Sequence, residues 1–210
     1  MVKALFIPAQ RKLKANKSKI LEVSKQLPND IAIAYSIQFK SLANEIKKIL
    51  SKEHNIIGVI QVLGCSRPLG LSQPKFNKKI QAILLVGSGK FHAINLALQT
   101  DLPIYILEKD KLYKISEKDM QNIKQKQKAG YMKFLNAEKH GILVSTKPGQ
   151  ENLKQALSIK KELKKKSYLF LANNIDTNEF ENFGLDSWIN TACSRMDMND
   201  SRIINYKKIS

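Results

Sequence analysis

Ile80-Gln81-Ala82-Ile83-Leu84-Leu85-Val86 runs straight into Gly87-Ser88-Gly89, then into a helical stretch from His92 to Leu98, and then into a second apolar run from Ile104 to Leu107. Strand, glycine turn, helix, strand is the repeating unit of a parallel sheet, in which a helix carries the chain back across one face. The pattern extends outward in both directions. Toward the N-terminus, Ile31–Tyr35 and Ile56–Val62 read as strands with a helix, Gln38–Leu50, between them. A helix over Lys17–Gln26 and an opening strand over Val2–Ile7 precede these. Toward the C-terminus, Ser116 opens a long helix reaching about Glu138, with Asp119 three residues later resembling a capping box. Strand Ile142–Val144, helix Asn152–Lys165, strand Tyr168–Leu171, a short helix Asn178–Phe183 and strand Ser187–Asn190 follow. The expected fold is α/β, with two similar domains, each a small parallel sheet flanked by helices. The acidic and lysine-rich stretch Glu108–Lys114 is the natural joint, dividing the chain into residues 1–110 and 111–210.

A chain of 210 residues has room for one large domain or two small ones. It contains no apolar run long enough to span a bilayer, and its start lacks a signal core with a cleavage site, so a cytoplasmic protein without membrane contact is expected. The net charge of +18 points toward nucleic acid, since clustered cations release counterions from phosphates. Against this, only Arg11, Arg67, Arg195 and Arg202 among the 36 basic residues are arginine, the usual reader of bases and phosphates. Runs such as the Lys-Lys-Glu-Leu-Lys-Lys-Lys ending at Lys166 look like solvated helix faces. Nucleic acid is therefore not expected as the principal partner, and a basic α/β nucleic-acid-binding protein is the weaker alternative.

The chain has two cysteines, each just past an apolar run: Val59-Ile60-Gln61-Val62-Leu63-Gly64-Cys65 and Ser187-Trp188-Ile189-Asn190-Thr191-Ala192-Cys193. Parallel sheets place ligands in the crevice beyond the carboxyl ends of their strands, so both thiols could face one site. Each could equally be a small buried residue. In a cytosolic protein a disulfide framework is disfavoured, which leaves burial, catalysis or metal binding. A faint internal repeat supports two matching units. Ser36-Ile37-Gln38 follows one strand and Ser145-Thr146-Lys147-Pro148-Gly149-Gln150 another, and each half later reaches its cysteine, so equivalent thiols around a shared site are expected. Gly87-Ser88-Gly89 falls short of the dinucleotide fingerprint, because position 92 is His. His54 and His140 read as surface or loop residues, Trp188 as core, and Asp197 and Asp200 as solvated loop charges. No catalytic triad or carboxylate pair is recognisable, and no catalytic residue is assigned.

Five motifs occur in order: Ser36-Ile37-Gln38-Phe39; Val62-Leu63-Gly64-Cys65-Ser66; Val86-Gly87-Ser88-Gly89-Lys90-Phe91-His92; Lys147-Pro148-Gly149-Gln150; and Asp186-Ser187-Trp188-Ile189-Asn190-Thr191-Ala192-Cys193-Ser194-Arg195. Over essentially the whole chain they resemble the diphthamide synthases, the 2-(3-amino-3-carboxypropyl)histidine synthases of archaea and eukaryotes. That family has three similar α/β domains, each giving one cysteine to a central 4Fe-4S cluster. The chain looks like the second and third. The resemblance implies that Cys65 and Cys193 are cluster ligands. It also implies that S-adenosylmethionine binds at the open iron, and that the reduced cluster breaks its sulfonium bond. A 3-amino-3-carboxypropyl radical would then add to a histidine of translation elongation factor 2. Gln150 and Arg195 are candidates to hold the methionine end, and His92 is a further cofactor-binding candidate. Soft thiolates from separate domains suit an iron-sulfur cluster, and a helix N-terminus or a guanidinium suits a carboxylate. Ser194 departs from the family's usual proline. The resemblance further implies a separate chain supplying the first domain and the third cysteine. The alternative is a non-catalytic remnant or scaffolding subunit of the same family.

Overall fold

The structure, a computed structural model, describes residues 5, 7–62 and 80–209. The chain forms two compact units that divide between Met120 and Gln121.

The first unit holds α1 (Lys17–Ser24), β1 (Asp30–Tyr35), α2 (Lys40–Leu50), β2 (Asn55–Gln61), β3 (Ala82–Val86), α3 (Lys90–Thr100), β4 (Ile104–Glu108) and β5 (Lys111–Lys114). Its sheet has the order β2-β1-β3-β4-β5. The first four strands are parallel, and β5 returns antiparallel to β4. Every residue of β3 is buried because the sheet is covered on both faces, which is why this strand reads as a continuous apolar run without alternation. Ile31, Ile33, Leu84 and Val86 face Leu42, Ala43, Ile46 and Leu50, the apolar stripe of α2. Ala32, Ala34, Ile83 and Leu85 face Ala93 and Leu96 of α3 on the other side.

The stretch expected to be the joint is a hairpin. Glu108 pairs with Lys111 across Lys109-Asp110, and Lys109 takes the left-handed conformation at φ 56°. Its charges therefore belong to an edge strand, where they blunt open pairing, and to no linker. The unit boundary falls in the following helix, α4 (Glu117–Asn136), ten residues beyond position 110. Ser116 does cap α4, its Oγ accepting from the Asp119 N–H at 3.1 Å. The Asp119 carboxylate reaches Lys90 Nζ at 3.1 Å. Lys90 and Ser116 together hold its pKa below the ordinary value. Of the expected opening strand, Val2–Ala4 and Phe6 lie outside the described residues, while Leu5 and Ile7 are exposed and in no strand.

The second unit holds most of α4, then β6 (Lys139–Ser145), α5 (Leu153–Glu162), β7 (Lys166–Ala172), a 3-10 segment (Thr177–Phe183), β8 (Ser187–Asn190), α6 (Met196–Asn199) and β9 (Ile203–Asn205). Its sheet is wholly parallel, ordered β7-β6-β8-β9. This repeats the order of the first four strands of the other sheet. Trp188 is 1% exposed, stacked on Phe180 with ring centroids 3.9 Å apart and met edge-on by Phe170 and Phe183. Gly141, its neighbour on β6, makes room for that ring, since a Cβ there would lie 2.3 Å from Trp188 Cε3. Gly130 does the same for α4, where a Cβ would lie 2.6 Å from the Ile203 carbonyl oxygen.

Candidate metal-binding crevice

In the second unit β6 connects to β7 on one side, and the chain then returns past β6 to β8 on the other. Between β6 and β8 the connections leave in opposite directions, and there an open parallel sheet leaves a crevice for ligands. Two loops rise from these strand ends: residues 146–152 after β6 and residues 191–195 after β8.

The first loop contains Gln150. Pro148, Gly149 at φ 78° and a Gln150 N–H donated to the Lys147 carbonyl at 3.0 Å make a type II turn, in which proline presets the second position and glycine supplies the positive φ at the third. The Thr146 N–H donates to the Ala172 carbonyl at 3.0 Å and the Lys147 N–H to Ser145 Oγ at 3.2 Å, anchoring the base of the turn. Asn152 flanks the start of α5 without capping it with its side chain. Its amide instead donates to the Gln150 carbonyl at 3.4 Å and to the Thr191 carbonyl at 2.6 Å, tying the two loops together.

The second loop carries Cys193, a free and half-buried thiol. Thr191 prolongs the ladder, with its N–H at 3.2 Å and its hydroxyl at 2.7 Å from the Leu143 carbonyl. The Asn190 amide donates to the Cys193 carbonyl at 2.7 Å, while its oxygen accepts from the Ala192 N–H at 2.9 Å. Asn205, its register partner on β9, donates to the Ser194 carbonyl at 2.9 Å. Arg195 follows, exposed, at the start of α6. The structure thus brings the Gln150 and Cys193 loops together, with Arg195 two residues further on.

The other candidates lie elsewhere. His92 sits half-buried in the first turn of α3, in the first unit, its ring 5.2 Å from that of Phe91. Cys65 lies outside the described residues, between β2 and β3 in the chain. The two cysteines follow strands of different rank in their units. β7 is the counterpart of β2 and β8 of β3, so Cys65 follows a second strand and Cys193 a third. One crossover separates Gln38 from Cys65 and two separate Gln150 from Cys193, which accounts for the unequal spacing of the two pairs.

Three polar residues read as exposed are not. His140 lies within β6, 1% exposed, with its ring 5.1 Å from Phe134. Neither ring nitrogen has a hydrogen-bond partner among the described residues. Burial first, and then Lys165, pushes its pKa down, with Asp186 opposing. Asp197, on α6, is 1% exposed and joins Lys208 Nζ at 2.7 Å through Oδ2. Burial raises its pKa and Lys208 offsets part of that. Asp200 is half-buried and clasped by Arg202, with Nη2 at 2.7 Å. Burial alone would raise its pKa, but the Arg202 hydrogen bonds outweigh that and hold it low. Sequence reasoning also passed over Asn190 and Asn205. The available signal was an amide closing the otherwise apolar strand Trp188-Ile189-Asn190 two residues before the first bond it makes to the cysteine loop.

A family model for diphthamide synthesis proteins matches residues 1–208. The chain belongs to that family. Two curated relatives are each named 2-(3-amino-3-carboxypropyl)histidine synthase. The one from Pyrococcus horikoshii is 27% identical over 95% of this chain and 60% of its own length. The one from Methanocaldococcus jannaschii is 27% identical over 99% of this chain and 59% of its own length. The chain therefore spans about 60% of the diphthamide synthases it matches. The crystal structure of Dph2 from Pyrococcus horikoshii superposes with a TM-score of 0.75 at 23% identity, over 93% of this chain and 62% of that one. A second structure of the same protein, with a 4Fe-4S cluster, superposes equally well over 93% and 61%. These likenesses establish the α/β fold.

The residues around Cys193 suit such a cluster in kind. Thiolate sulfur is its preferred donor, and the Ala192 N–H, the Cys193 carbonyl and the Ser194 carbonyl are already bonded by Asn190 and Asn205. No competing group of three or more His, Cys, Asp or Glu occurs among the described residues. In number the set is incomplete, since the described residues offer one thiolate. No helix among them is long and apolar enough to cross a membrane.

Proposed function

We propose that this chain is a subunit of an iron-sulfur, S-adenosylmethionine-dependent 3-amino-3-carboxypropyl transferase that modifies a histidine of translation elongation factor 2. The observation that carries the reading is a thiol on a pinned loop, tied to the Lys147–Gln150 turn, in a chain that matches the diphthamide synthesis family over residues 1–208. Cys193 and Cys65 hold the cluster as thiolates. A bound cluster supplies the electron that cleaves the sulfonium bond of S-adenosylmethionine. The chain's own part is orientation. Gln150, fixed by its turn, and Arg195, beside the thiol loop, would face the amino-acid end of S-adenosylmethionine, where a guanidinium pairs with a carboxylate. His92 serves as a further cofactor contact. A cluster with one open iron takes three thiolates and these 210 residues carry two cysteines, so the third would come from outside them, in this reading from a separate polypeptide.

The test is anaerobic reconstitution of this chain together with a family member carrying the remaining cysteine. Stable co-purification, about four iron and four sulfide per complex as a 4Fe-4S cluster requires, and labelled aminocarboxypropyl transfer to elongation factor 2 are expected. Cys65→Ala and Cys193→Ala should each abolish iron retention and transfer. Unchanged transfer in either variant would convert the chain to a scaffolding subunit, and absence of any complex would remove the partner proposal.

A further inference from the structure

Asn190 and Asn205 end neighbouring parallel strands in register, and their side-chain amides meet each other. Between them they grip three consecutive residues of the thiol loop: the Ala192 N–H, the Cys193 carbonyl and the Ser194 carbonyl. Asn190 is 2% exposed, so its own amide is largely shut off from water, where an unmet polar group costs most. The pattern has one polarity. Each amide nitrogen faces an oxygen, and the Asn190 oxygen faces an N–H, so only an amide can serve at position 190. A carboxylate of the same size would turn an acceptor toward the Cys193 carbonyl and the Asn205 oxygen. Packing alone would not select such a group, since a leucine or valine would close the strand end with less demand.

We infer that Asn190 and Asn205 are positioning residues, a paired-amide clamp that holds the main chain on both sides of Cys193 so that its sulfur is offered to the crevice in one geometry. This rests on the reading of Cys193 as a cluster ligand, yet the clamp can be tested without iron. In a Cys65→Ala background, Cys193 is the sole thiol and its alkylation by iodoacetamide reports the loop. Trp188, the single tryptophan, two residues before Asn190 and buried, reports whether β8 stays packed.

Asn190→Asp should raise the alkylation rate about tenfold, the loss expected from one or two broken hydrogen bonds, and Asn205→Ala, on the edge strand, about threefold. Tryptophan emission should stay close to that of the parent, while the thermal transition falls with the buried groups left unmet. Asn190→Gln, which keeps the amide, should recover less than Asn205→Gln, since buried position 190 has no room for the added methylene. A thiol rate that stays at the parent value in both Asn190→Asp and Asn205→Ala, with tryptophan emission unmoved, overturns the clamp. So does a rate that rises only in step with a shifted tryptophan emission in both variants, which marks a purely structural role. If the rates behave as expected but the complex with both cysteines intact retains no iron, the clamp stands and the cluster reading fails.

Discussion

The two sheets repeat one strand order, β2-β1-β3-β4 and β7-β6-β8-β9, yet they are finished differently. The first is packed by aliphatic side chains on both faces and closed at one edge by a charged hairpin. The second is packed on one face around a single tryptophan with three phenylalanines, and its central strand end carries polar side chains spent on loop geometry. Repetition thus sets the scaffold while the loops and their anchors carry the chemistry, as functional residues commonly do on rigid frames. The unit with the aromatic core and the amide anchors is the one with less freedom to vary.

That contrast can be broken most forcefully at Trp188. Trp188→Ala should cost about 3–5 kcal/mol through the cavity it leaves, seen as a large drop in the urea midpoint followed by circular dichroism. An unchanged midpoint would deny the aromatic cluster its role. A matched pair of glycines sharpens the comparison. Gly141→Ala drives a Cβ into the Trp188 ring and should cost about 1–3 kcal/mol. In the first unit Gly87→Ala meets Phe39 only at ordinary contact, 3.8 Å, and should stay within about 0.5 kcal/mol. Equal effects in both would remove the distinction between the units.

Acid supplies a subtler probe. His140 is held neutral by burial, with its folded pKa below the ordinary 6.5. Above 6.5 both folded and unfolded states carry the neutral ring and stability is full. As pH falls below 6.5 the unfolded chain takes up the proton first, so stability is lost until the folded pKa is passed. His140→Leu should flatten that part of the stability profile, measured by urea titration at successive pH values. Asp197 has the opposite sign. Its folded pKa is raised above 3.8, so the unfolded state ionises first as pH rises, and stability declines through that window. Asp197→Asn should therefore be a mild change, leaving neutral-pH stability within about 1 kcal/mol or slightly improving it, because the ionised carboxylate is disfavoured by burial and Lys208 can return to water. A loss comparable to that of Gly141→Ala would show that the ion pair outweighs its desolvation.

Period and apolar runs were enough to locate the strands that are covered on both faces. Ile31–Tyr35, Ile104–Leu107 and Ser187–Asn190 fall within a residue of where the chain places them. Short elements escaped. β9 has three residues and α6 four, too few for a period to register. β5 was hidden by its own charge, since Lys111 and Lys114 at an edge look like linker residues. The cysteine and glutamine turns were visible as motifs because proline, glycine and cysteine are rare. The bonds that hold them were not, because Asn190 and Asn205 are separated in sequence and meet only when β8 and β9 pair. Burial of His140 and Asp197 was likewise invisible, because it depends on what packs over them from elsewhere in the unit.

The Lys147-Pro148-Gly149-Gln150 turn has a thermodynamic consequence. Proline narrows the unfolded ensemble and glycine meets the positive φ without strain, so much of the ordering of this segment is completed when the chain folds. A ligand that seats against Gln150 then has little loop entropy left to remove, and its dissociation constant reflects contacts more than conformational search.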